Sequence, residues 1–278
     1  MNGIFYTVAT PIGNLADISQ RAIETLKNVD LILCEDTRTS KVLLDRYEIF
    51  TELKSYHKFN EQARCGEILE MLENGKNIAL ITDAGTPCIS DPGSILIDEL
   101  YKNEIKVTPI PGASAVVTFL SALPREKEEF VFVGFLPRKQ EEQKQLLEKY
   151  FATNIVFYES PKRLVKTLEN IKLFFGENAK IAIGRELTKK FEEIKVDTVQ
   201  SFIEKFSNNE PKGEIVGLVY AQKEEEQDLS LIKTQIQKLK EKDFSNKDIS
   251  LILSTLFDCK KNLVYSIAMS MKVEKDQQ

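Results

Sequence analysis

The chain has 278 residues, of which 42% are hydrophobic and 29% charged, a composition typical of a folded protein of about two domains and not of a disordered chain. Its net charge of −5 argues against a protein that binds nucleic acid through overall positive charge, so contact with RNA requires a local basic patch. No apolar stretch approaches the ~20 residues of a transmembrane helix, and no basic segment precedes the first apolar stretch. We therefore expect neither a membrane span nor a signal peptide, and we predict a cytoplasmic protein.

Over residues 1–112, short stretches rich in isoleucine, valine and leucine alternate with segments of helical periodicity. The apolar stretches predict buried strands at residues 4–9, 31–34, 53–56, 78–82 and 107–110. Between the first two, Ala22, Leu26 and Val29 have helical spacing, and Asp17 or Ser19 is placed to cap that helix. The alternation of strands and helices predicts a mostly parallel α/β sheet.

The second part of the chain predicts a second α/β domain with a mixed sheet. Its predicted strands are residues 130–135, 155–158, 180–185, 191–196 and 215–220. Its predicted helices are residues 140–150, 163–174 and 199–206. The third and fourth of these strands are close enough in sequence to be antiparallel neighbours.

Residues 224–278 predict a small helical appendage after an acidic break. Helices are expected at 229–240, 247–257 and 263–271, with Ser245 as a capping residue and a turn at 259–262. The pattern resembles a helix-turn-helix, but residues 223–278 contain ten lysines and ten acidic residues, which favours a packing or dimerisation role over DNA binding. The predicted domains are therefore residues 1–115, 116–223 and 224–278.

Ligands of α/β sheets bind at the carboxyl ends of the strands, so the loops that follow the predicted strands are the candidate site. Pro11 and Gly13 follow the first strand. Residues 83–93 follow the fourth and combine prolines, glycines, aspartates and small hydroxyl side chains, as expected of a backbone-lined pocket. Residues 111–116 follow the fifth, where small side chains at the start of a helix allow a ligand to approach closely.

Two further loops carry polar residues for which the sequence allows both a structural and a functional role. Residues 35–39 contain two acidic side chains and Arg38 directly after a buried strand, which fits a surface ion-pair cluster as well as a binding site. His57, the only histidine, has a side chain suited to general-base chemistry, although most lone histidines have no catalytic role. Asn60 is placed to cap the helix that follows.

Several motifs are absent from the sequence. The four cysteines are far apart and there is one histidine, so we expect no metal site built from local Cys/His spacing. The glycines form neither a dinucleotide-binding fingerprint nor a P-loop, and no serine-hydrolase elbow is present. The glycine-rich turn of the common methyltransferase fold is also missing.

Nevertheless, the ordered loop motifs resemble one family of enzymes, the small-subunit ribosomal RNA methyltransferases I of the tetrapyrrole-methylase-like superfamily. The resemblance extends over about residues 3–222. It rests on TPIGNL (10–15), EDTR (35–38), YH with NE (56–61), DAGTPCISDPG (83–93), PGASA (111–115), GFLPRK (134–139), YESP (158–161), RELTK (185–189) and KGE (212–214).

The resemblance implies two α/β domains with S-adenosylmethionine in the cleft between them, a homodimer, and no metal. It implies methylation of a cytidine 2′-oxygen in the 16S rRNA of the small ribosomal subunit, with no membrane or DNA partner. By the same analogy the cofactor is expected at Pro11, Asp83, Ala84, Gly85, Thr86, Ile89, Ser90, Gly112, Ser114, Ala115, Phe135, Leu136 and Tyr158.

The resemblance also suggests catalytic and RNA-binding candidates. The candidate bases are His57, Asp36 and Glu159, in that order. The candidate phosphate contacts are Arg38, Lys41, Lys58, Lys162, Arg163, Lys189 and Lys190. Lys162 stands where many family members have histidine, so it has no expected role in proton transfer.

Two other functions remain open on the sequence. A methylase of the same superfamily that acts on a tetrapyrrole would share the fold and the cofactor, and residues 35–38 and 56–61 argue against it because they resemble the RNA enzymes. A non-catalytic factor that binds RNA or the ribosome through its C-terminal helices would fail to bind the cofactor.

Overall fold

The computed structural model describes residues 2–209, 211–222, 229–257 and 261–271. The chain forms two compact units, Met1–Ala221 and Gln222–Gln278. The larger unit contains two five-stranded sheets, and the smaller one is helical. Among the described residues, no helix is both long and apolar enough to cross a membrane.

The first sheet is entirely parallel, which confirms the prediction for this part of the chain. Its strands are β1 (Phe5–Val8), β2 (Leu31–Cys34), β3 (Leu53–Ser55), β4 (Ile78–Leu80) and β5 (Val107–Ile110), in the order β3-β2-β4-β1-β5. Its helices are α1 (Gln20–Asn28), α2 (Thr37–Arg46), α3 (Glu61–Glu73), α4 (Ser94–Lys102) and α5 (Ala115–Ser121). The Ser19 side chain accepts a hydrogen bond from the Ala22 N–H and caps α1.

The second sheet is mixed, as predicted. Its strands are β6 (Phe130–Phe135), β7 (Asn154–Glu159), β8 (Lys180–Arg185), β9 (Glu193–Thr198) and β10 (Ile215–Val219), in the order β6-β7-β10-β8-β9. Only β6 and β7 pair in parallel, and β8 and β9 are antiparallel neighbours. The helices are α6 (Gln140–Lys149), α7 (Pro161–Phe175) and α8 (Val199–Asn208). β9 begins two residues later than predicted because the chain turns tightly beforehand, with positive φ angles at Glu186 and Thr188.

Helix α5 connects the two sheets through a shared core. Phe119 on α5 is fully buried and lies in one cluster with Ile12 of the first half and Val216 of β10. A Cβ atom on Gly184 would come within 2.6 Å of the Phe119 ring, so β8 needs glycine where the ring packs. Burying such a ring contributes about 1.5–3 kcal/mol, which ties the second sheet to the loops of the first.

The prediction that the Asn60 side chain caps α3 is wrong. Asn60 precedes α3, but its side chain makes no capping hydrogen bond. Instead, its Oδ1 accepts the His57 N–H at 2.8 Å, and its Nδ2 donates to the Ser55 carbonyl at 3.3 Å. Asn60 therefore stabilises the turn after β3.

The smaller unit contains α9 (Leu229–Lys240), α10 (Asn246–Leu256) and α11 (Lys261–Ser270). The helices pack around a core of their own, formed by Ile232, Ile236, Ile249, Leu253, Val264 and Ala268. Ser245 accepts the Asp248 N–H and caps α10, as predicted. Residues 259 and 260 of the predicted turn lie outside the described residues, and Asn262 belongs to α11.

Candidate active site

A cleft of about 450 Å³ lies within the larger unit, between loops of the first sheet and strand ends of the second. Most of the predicted cofactor residues line it, namely Asp83, Ala84, Gly85, Thr86, Ile89, Ser90, Ser114, Ala115, Phe135 and Tyr158. Clefts of this volume are large enough to enclose a small organic cofactor.

The floor of the cleft is formed by loops that are hydrogen bonded to one another. Thr10 and Gly85 exchange backbone hydrogen bonds of 2.9 and 3.1 Å, which join the loops after β1 and β4. The Thr86 hydroxyl donates to the Ala113 carbonyl at 3.2 Å and joins the loop after β5. Gly85 has a φ of +86°, a conformation that disfavours any other residue. These contacts hold the backbone of the floor in place before a ligand arrives.

The opposite wall comes from the second sheet. The rings of Phe135 and Tyr158 meet edge to face with centroids 5.7 Å apart. Burial raises the pKa of the Tyr158 hydroxyl, and the negative charges of Asp91 and Glu214 raise it further. The wall therefore combines aromatic surface with carboxylates.

Sequence reasoning missed a group of lining residues at the start of β10. Gly213, Glu214, Ile215 and Val216 all line the cleft. They reach it because β10 runs antiparallel to β7, so Ile215 lies opposite Glu159 at the carboxyl end of β7. The KGE motif at 212–214 was a signal for this segment, but the expectation that sites form at carboxyl ends of strands pointed elsewhere. Asp91, from the loop 83–93 that was predicted to form a pocket, also lines the cleft, as do the unpredicted residues Ile12, Thr82, Ser160, Pro161 and Leu187.

Three predicted cofactor residues lie outside the cleft wall. Leu136 is buried in the core of the second sheet, so it cannot face a cofactor ring. Gly112 packs against Ala9, since a Cβ atom there would lie 3.0 Å from the Ala9 Cβ. Pro11 lines a second, more open groove.

This groove of about 590 Å³ adjoins the cleft, and Asp83 lines both. Its other lining residues are Thr10, Pro11, Leu15, Asp36, Arg38, Thr39, Val42 and Leu43. Asp83 thus stands at the junction of a more enclosed space and a more open one.

The carboxylates at this junction differ in their environments. Arg38 forms a bidentate pair with Asp36, with distances of 3.1 and 2.7 Å, and holds the pKa of Asp36 at about 2. Partial burial raises the pKa of Asp83, and the Asp36 charge raises it further, although the Asp83 side chain stays accessible. Burial likewise raises the pKa of Glu35 and Asp91. Asp83 is therefore a stronger base than Asp36.

The other two candidate bases have structural partners. Glu159 lines the cleft but is almost fully buried, and its carboxylate accepts hydrogen bonds from Ser160 N–H at 2.8 Å and the Thr167 hydroxyl at 2.7 Å. Arg163 Nη2 lies 3.2 Å from the same carboxylate. These contacts suit Glu159 to positioning the start of α7, and its role as a base stays a prediction. His57 lines neither cavity, and its Nδ1 accepts the Phe59 N–H at 3.3 Å.

The predicted phosphate contacts divide into paired and unpaired cations. Lys189 donates to Glu186 at 2.9 Å and Glu214 at 3.0 Å, and Arg163 donates to the Leu136 carbonyl at 2.6 Å. Both side chains therefore have internal partners in this structure, and their contact with phosphate stays a prediction. Arg38 is exposed but paired with Asp36. Within the described residues, the remaining predicted cations form no ion pair; they are Lys41, Lys58, Lys162 and Lys190.

The sequence matches the family model for tetrapyrrole (corrin/porphyrin) methylases over residues 5–203. Curated relatives are named ribosomal RNA small subunit methyltransferase I. The Haemophilus influenzae protein is 39% identical over 97% of this chain and 98% of its own length. The Escherichia coli O157:H7 protein is 38% identical, covering 97% and 96%, and the Synechocystis protein is 45% identical, covering 76% and 77%.

Solved structures share the fold at low sequence identity. Diphthine synthase superposes with a TM-score of 0.61 at 13% identity, covering 79% of this chain and 90% of its own. Cobalt precorrin-4 methyltransferase, a cobalamin biosynthetic enzyme, superposes with a TM-score of 0.58 at 17% identity, covering 78% and 95%. The family model and these two solved structures agree with the two-sheet fold, and the Haemophilus influenzae and Escherichia coli relatives match the chain nearly end to end. This chain belongs to the ribosomal RNA small subunit methyltransferase I family of tetrapyrrole-type methylases.

Proposed function

We propose that this protein methylates the 2′-oxygen of a cytidine in small-subunit ribosomal RNA, with S-adenosylmethionine as the methyl donor. The observation that carries the proposal is the position of Asp83, which lines both the cleft and the open groove beside it. The names of the relatives, two of which match nearly the whole chain, support small-subunit rRNA as the substrate. The cytidine 2′-oxygen rests on the sequence resemblance alone.

The residues of the cleft fit S-adenosylmethionine by their chemistry. Ile12, Ile89 and Leu187 give the cleft apolar surface for a purine. The hydroxyls of Ser90 and Ser114 offer hydrogen bonds to polar groups. Carboxylates and aromatic faces both attract cations, and the donor carries a sulfonium and an ammonium group. When bound, this cofactor supplies an activated methyl group.

The protein's own task is to place the ribose hydroxyl and to take its proton. The open groove is accessible to a large substrate, and Asp83 is the carboxylate it shares with the cleft. We assign Asp83 as the proton acceptor: its carboxylate takes the hydroxyl proton as the oxygen gains the methyl group. Holding the reacting groups in line is worth roughly 7–11 kcal/mol of barrier reduction, so positioning is the larger part of catalysis.

The exposed cations Lys41, Lys58, Lys162 and Lys190 support a role in contacting phosphate. Four dispersed lysines on a protein of net charge −5 provide little electrostatic attraction for RNA. This favours a folded ribosomal subunit as the substrate, where shape and protein contacts add to affinity.

Methyl transfer from labelled S-adenosylmethionine tests the proposal directly. Small ribosomal subunits that lack 2′-O-methylation, free rRNA and a tetrapyrrole are offered in parallel. Label at one cytidine 2′-oxygen of the subunit is the expected result, and label in free rRNA alone would retain the chemistry but reject the assembled subunit. Label in the tetrapyrrole, or in none of the three, would contradict the proposal.

We also propose a homodimer, as the resemblance implies. The edge strand β6 exposes Phe130, which offers apolar surface to a second copy. Sedimentation at two protein concentrations tests this, and a monomer at both would contradict it.

A further inference from the structure

The turn after β3 presents an aromatic ring to solvent at the carboxyl edge of the first sheet. The Phe59 side chain is 96% exposed, the highest value among the exposed large apolar residues of the structure's described part. Its ring has one aromatic neighbour there, His57, with centroids 6.1 Å apart and planes inclined by 65°. Single exposed apolar side chains are common on protein surfaces, so what distinguishes Phe59 is the fixed turn that carries it and its position beside the candidate active site.

The turn that carries Phe59 is fixed by several hydrogen bonds. Asn60 accepts the His57 N–H at 2.8 Å, and the Asn60 N–H donates back to the His57 carbonyl at 2.9 Å. The Phe59 N–H donates to His57 Nδ1 at 3.3 Å. Asn60 Nδ2 also lies 3.2 Å from His57 Nε2. The ring is therefore presented by a pre-organised turn, which reduces the entropy lost when a partner binds.

The turn is connected to the candidate active site. Glu61, which follows the turn, accepts the Gly93 N–H at 3.2 Å and so joins it to the loop that carries Ser90 and Asp91. In the sheet order β3-β2-β4-β1-β5, the cleft is formed after β1 and β4, the groove includes residues after β2, and Phe59 follows β3. At 4.7–4.9 Å between strands, β3 is about 10 Å from β4. Phe59 is therefore placed to contact a nucleotide adjacent to the one whose ribose hydroxyl reacts at Asp83.

The charges along this edge favour contact through a ring over contact through phosphate. Glu35, Asp83 and Asp91 interact electrostatically at the ends of β2 and β4, and their negative charges repel a phosphate backbone, whereas Arg38 neutralises Asp36. A nucleobase carries no net charge and has a flat face that stacks on an aromatic ring. Lys58, exposed beside Phe59, offers one positive charge next to the ring.

We propose that Phe59 is a stacking platform for an unpaired nucleobase that neighbours the nucleotide to be methylated. The proposal rests on the proposed function for the nature of its substrate, and it adds a residue that positions the RNA. Unpaired bases on RNA are recognised largely by stacking on aromatic side chains, and such a contact tolerates any base.

The test compares Phe59→Ala with a matched control, Phe50→Ala. Phe50 is also highly exposed, at 86%, but it precedes β3 and therefore lies toward the amino end of the sheet. Binding of small ribosomal subunits lacking 2′-O-methylation is measured by filter retention, together with methyl transfer and the thermal stability of each variant. We expect Phe59→Ala to weaken subunit binding about tenfold. Phe59→Tyr and Phe50→Ala should stay within about twofold of wild type.

Salt dependence separates stacking from charge. Phe59→Ala should leave the slope of affinity against salt unchanged, whereas Lys58→Ala should lower it if that lysine meets phosphate. A Phe59→Ala variant that binds the subunit as well as Phe50→Ala does would overturn the stacking role.

The outcomes also separate this inference from the proposed function. Methylation by the wild-type protein with no effect of Phe59→Ala rejects the platform alone. Subunit binding without methylation rejects the proposed function, and the Phe59→Ala binding result still decides the platform. A wild-type protein that binds no RNA and methylates none rejects both.

Discussion

At the scale of single residues, the decisive feature is the difference in environment, and hence in pKa, between the neighbouring carboxylates Asp36 and Asp83. Asp36 is neutralised by Arg38, whereas Asp83 accepts one long hydrogen bond, 3.4 Å from the Asp36 N–H, and has no ion pair within the described residues. A general base works best when its pKa approaches the working pH, so a raised pKa favours Asp83 over Asp36.

We expect Asp83→Asn to lower the rate of methyl transfer by about 10²–10⁴-fold, the usual contribution of a general base. The amide keeps the shape and cannot take the proton. Because it also removes a negative charge from the cleft, the rates are compared at saturating S-adenosylmethionine. Asp36→Asn is the matched comparison and should cost far less, because its carboxylate already serves Arg38. Equal losses in the two variants would remove Asp83 as the base.

The raised carboxyl pKa values also predict how stability depends on pH. A carboxyl whose pKa is raised in the folded protein contributes stability below its unfolded pKa, near 4, and loses it as pH rises through the folded value. At pH 7 the charge on Asp91 therefore weakens the fold. Asp91→Asn should raise Tm at pH 7, by roughly 2–4 °C for each kcal/mol recovered, and change it little at pH 4.

Asp98→Asn is the control for this prediction, since Asp98 lies on the exposed face of α4. It should leave Tm nearly unchanged at both pH values. An Asp91→Asn variant that loses stability at pH 7 would show that the carboxylate is held by favourable contacts that outweigh its burial.

Residue roles were the part that the sequence could predict least. Composition and position identified the loop at 83–93 and the stretch 111–116 that contains Ser114, because small residues, glycine and proline after a strand suit a backbone-lined pocket. Tyr158 was identified only through the family resemblance. The charge of Lys189 or Glu159 is visible in the sequence, but the partner that neutralises it is not. Lys189 meets Glu214 across 25 positions of chain, and only the fold brings the two together.

At the scale of elements, the periodicity of apolar residues predicted most strands and helices. It did so because the apolar residues of each strand and helix are the ones that pack into the core beside its sheet. The bounds of β2, β5, β6 and β8 agree with those predicted. The direction of β10 could not be read from its five apolar residues, and that direction is what brings Gly213 and Glu214 to the cleft. Strand direction is a tertiary property, so sequence reasoning could not place the four lining residues at the start of β10.

Helix α3 contains a glycine that nothing in the packing requires. Gly66 lies within the helix, and a Cβ atom there would meet nothing within 4 Å. Gly66→Ala should stabilise the protein by about 0.5–1 kcal/mol, because alanine loses less entropy than glycine in a helix. Denaturant unfolding of the two proteins measures this difference.

Gly176 is the matched control, since it too has open space around its Cβ position but has a φ of +82° at the end of α7. There the same substitution should destabilise the protein by about 1 kcal/mol, because alanine disfavours positive φ. Equal effects at the two sites would mean that space, and not backbone conformation, sets the outcome.

At the scale of the whole molecule, each compact unit has its own hydrophobic core. The two-sheet unit contains the cleft, the groove and the aromatic turn, and the core of the helical unit is formed by residues such as Ile236, Leu253 and Val264. Every residue assigned to chemistry in this protein belongs to the larger unit. We therefore expect the site to form without the smaller unit.

A chain ending at Gln222 should consequently retain the fold and the cofactor affinity of the full protein. We expect its main thermal transition to lie within ~2 °C of that of the full chain, because the core around Phe119 and Val216 is complete without the helices. The helical unit buries a much smaller core, so in the full chain it should unfold first and give a separate, weaker transition. Calorimetry of both chains, followed by titration with S-adenosylmethionine, measures each point. A single shared transition in the full chain, or a truncated chain that no longer binds the cofactor, would show that the two units depend on each other for stability.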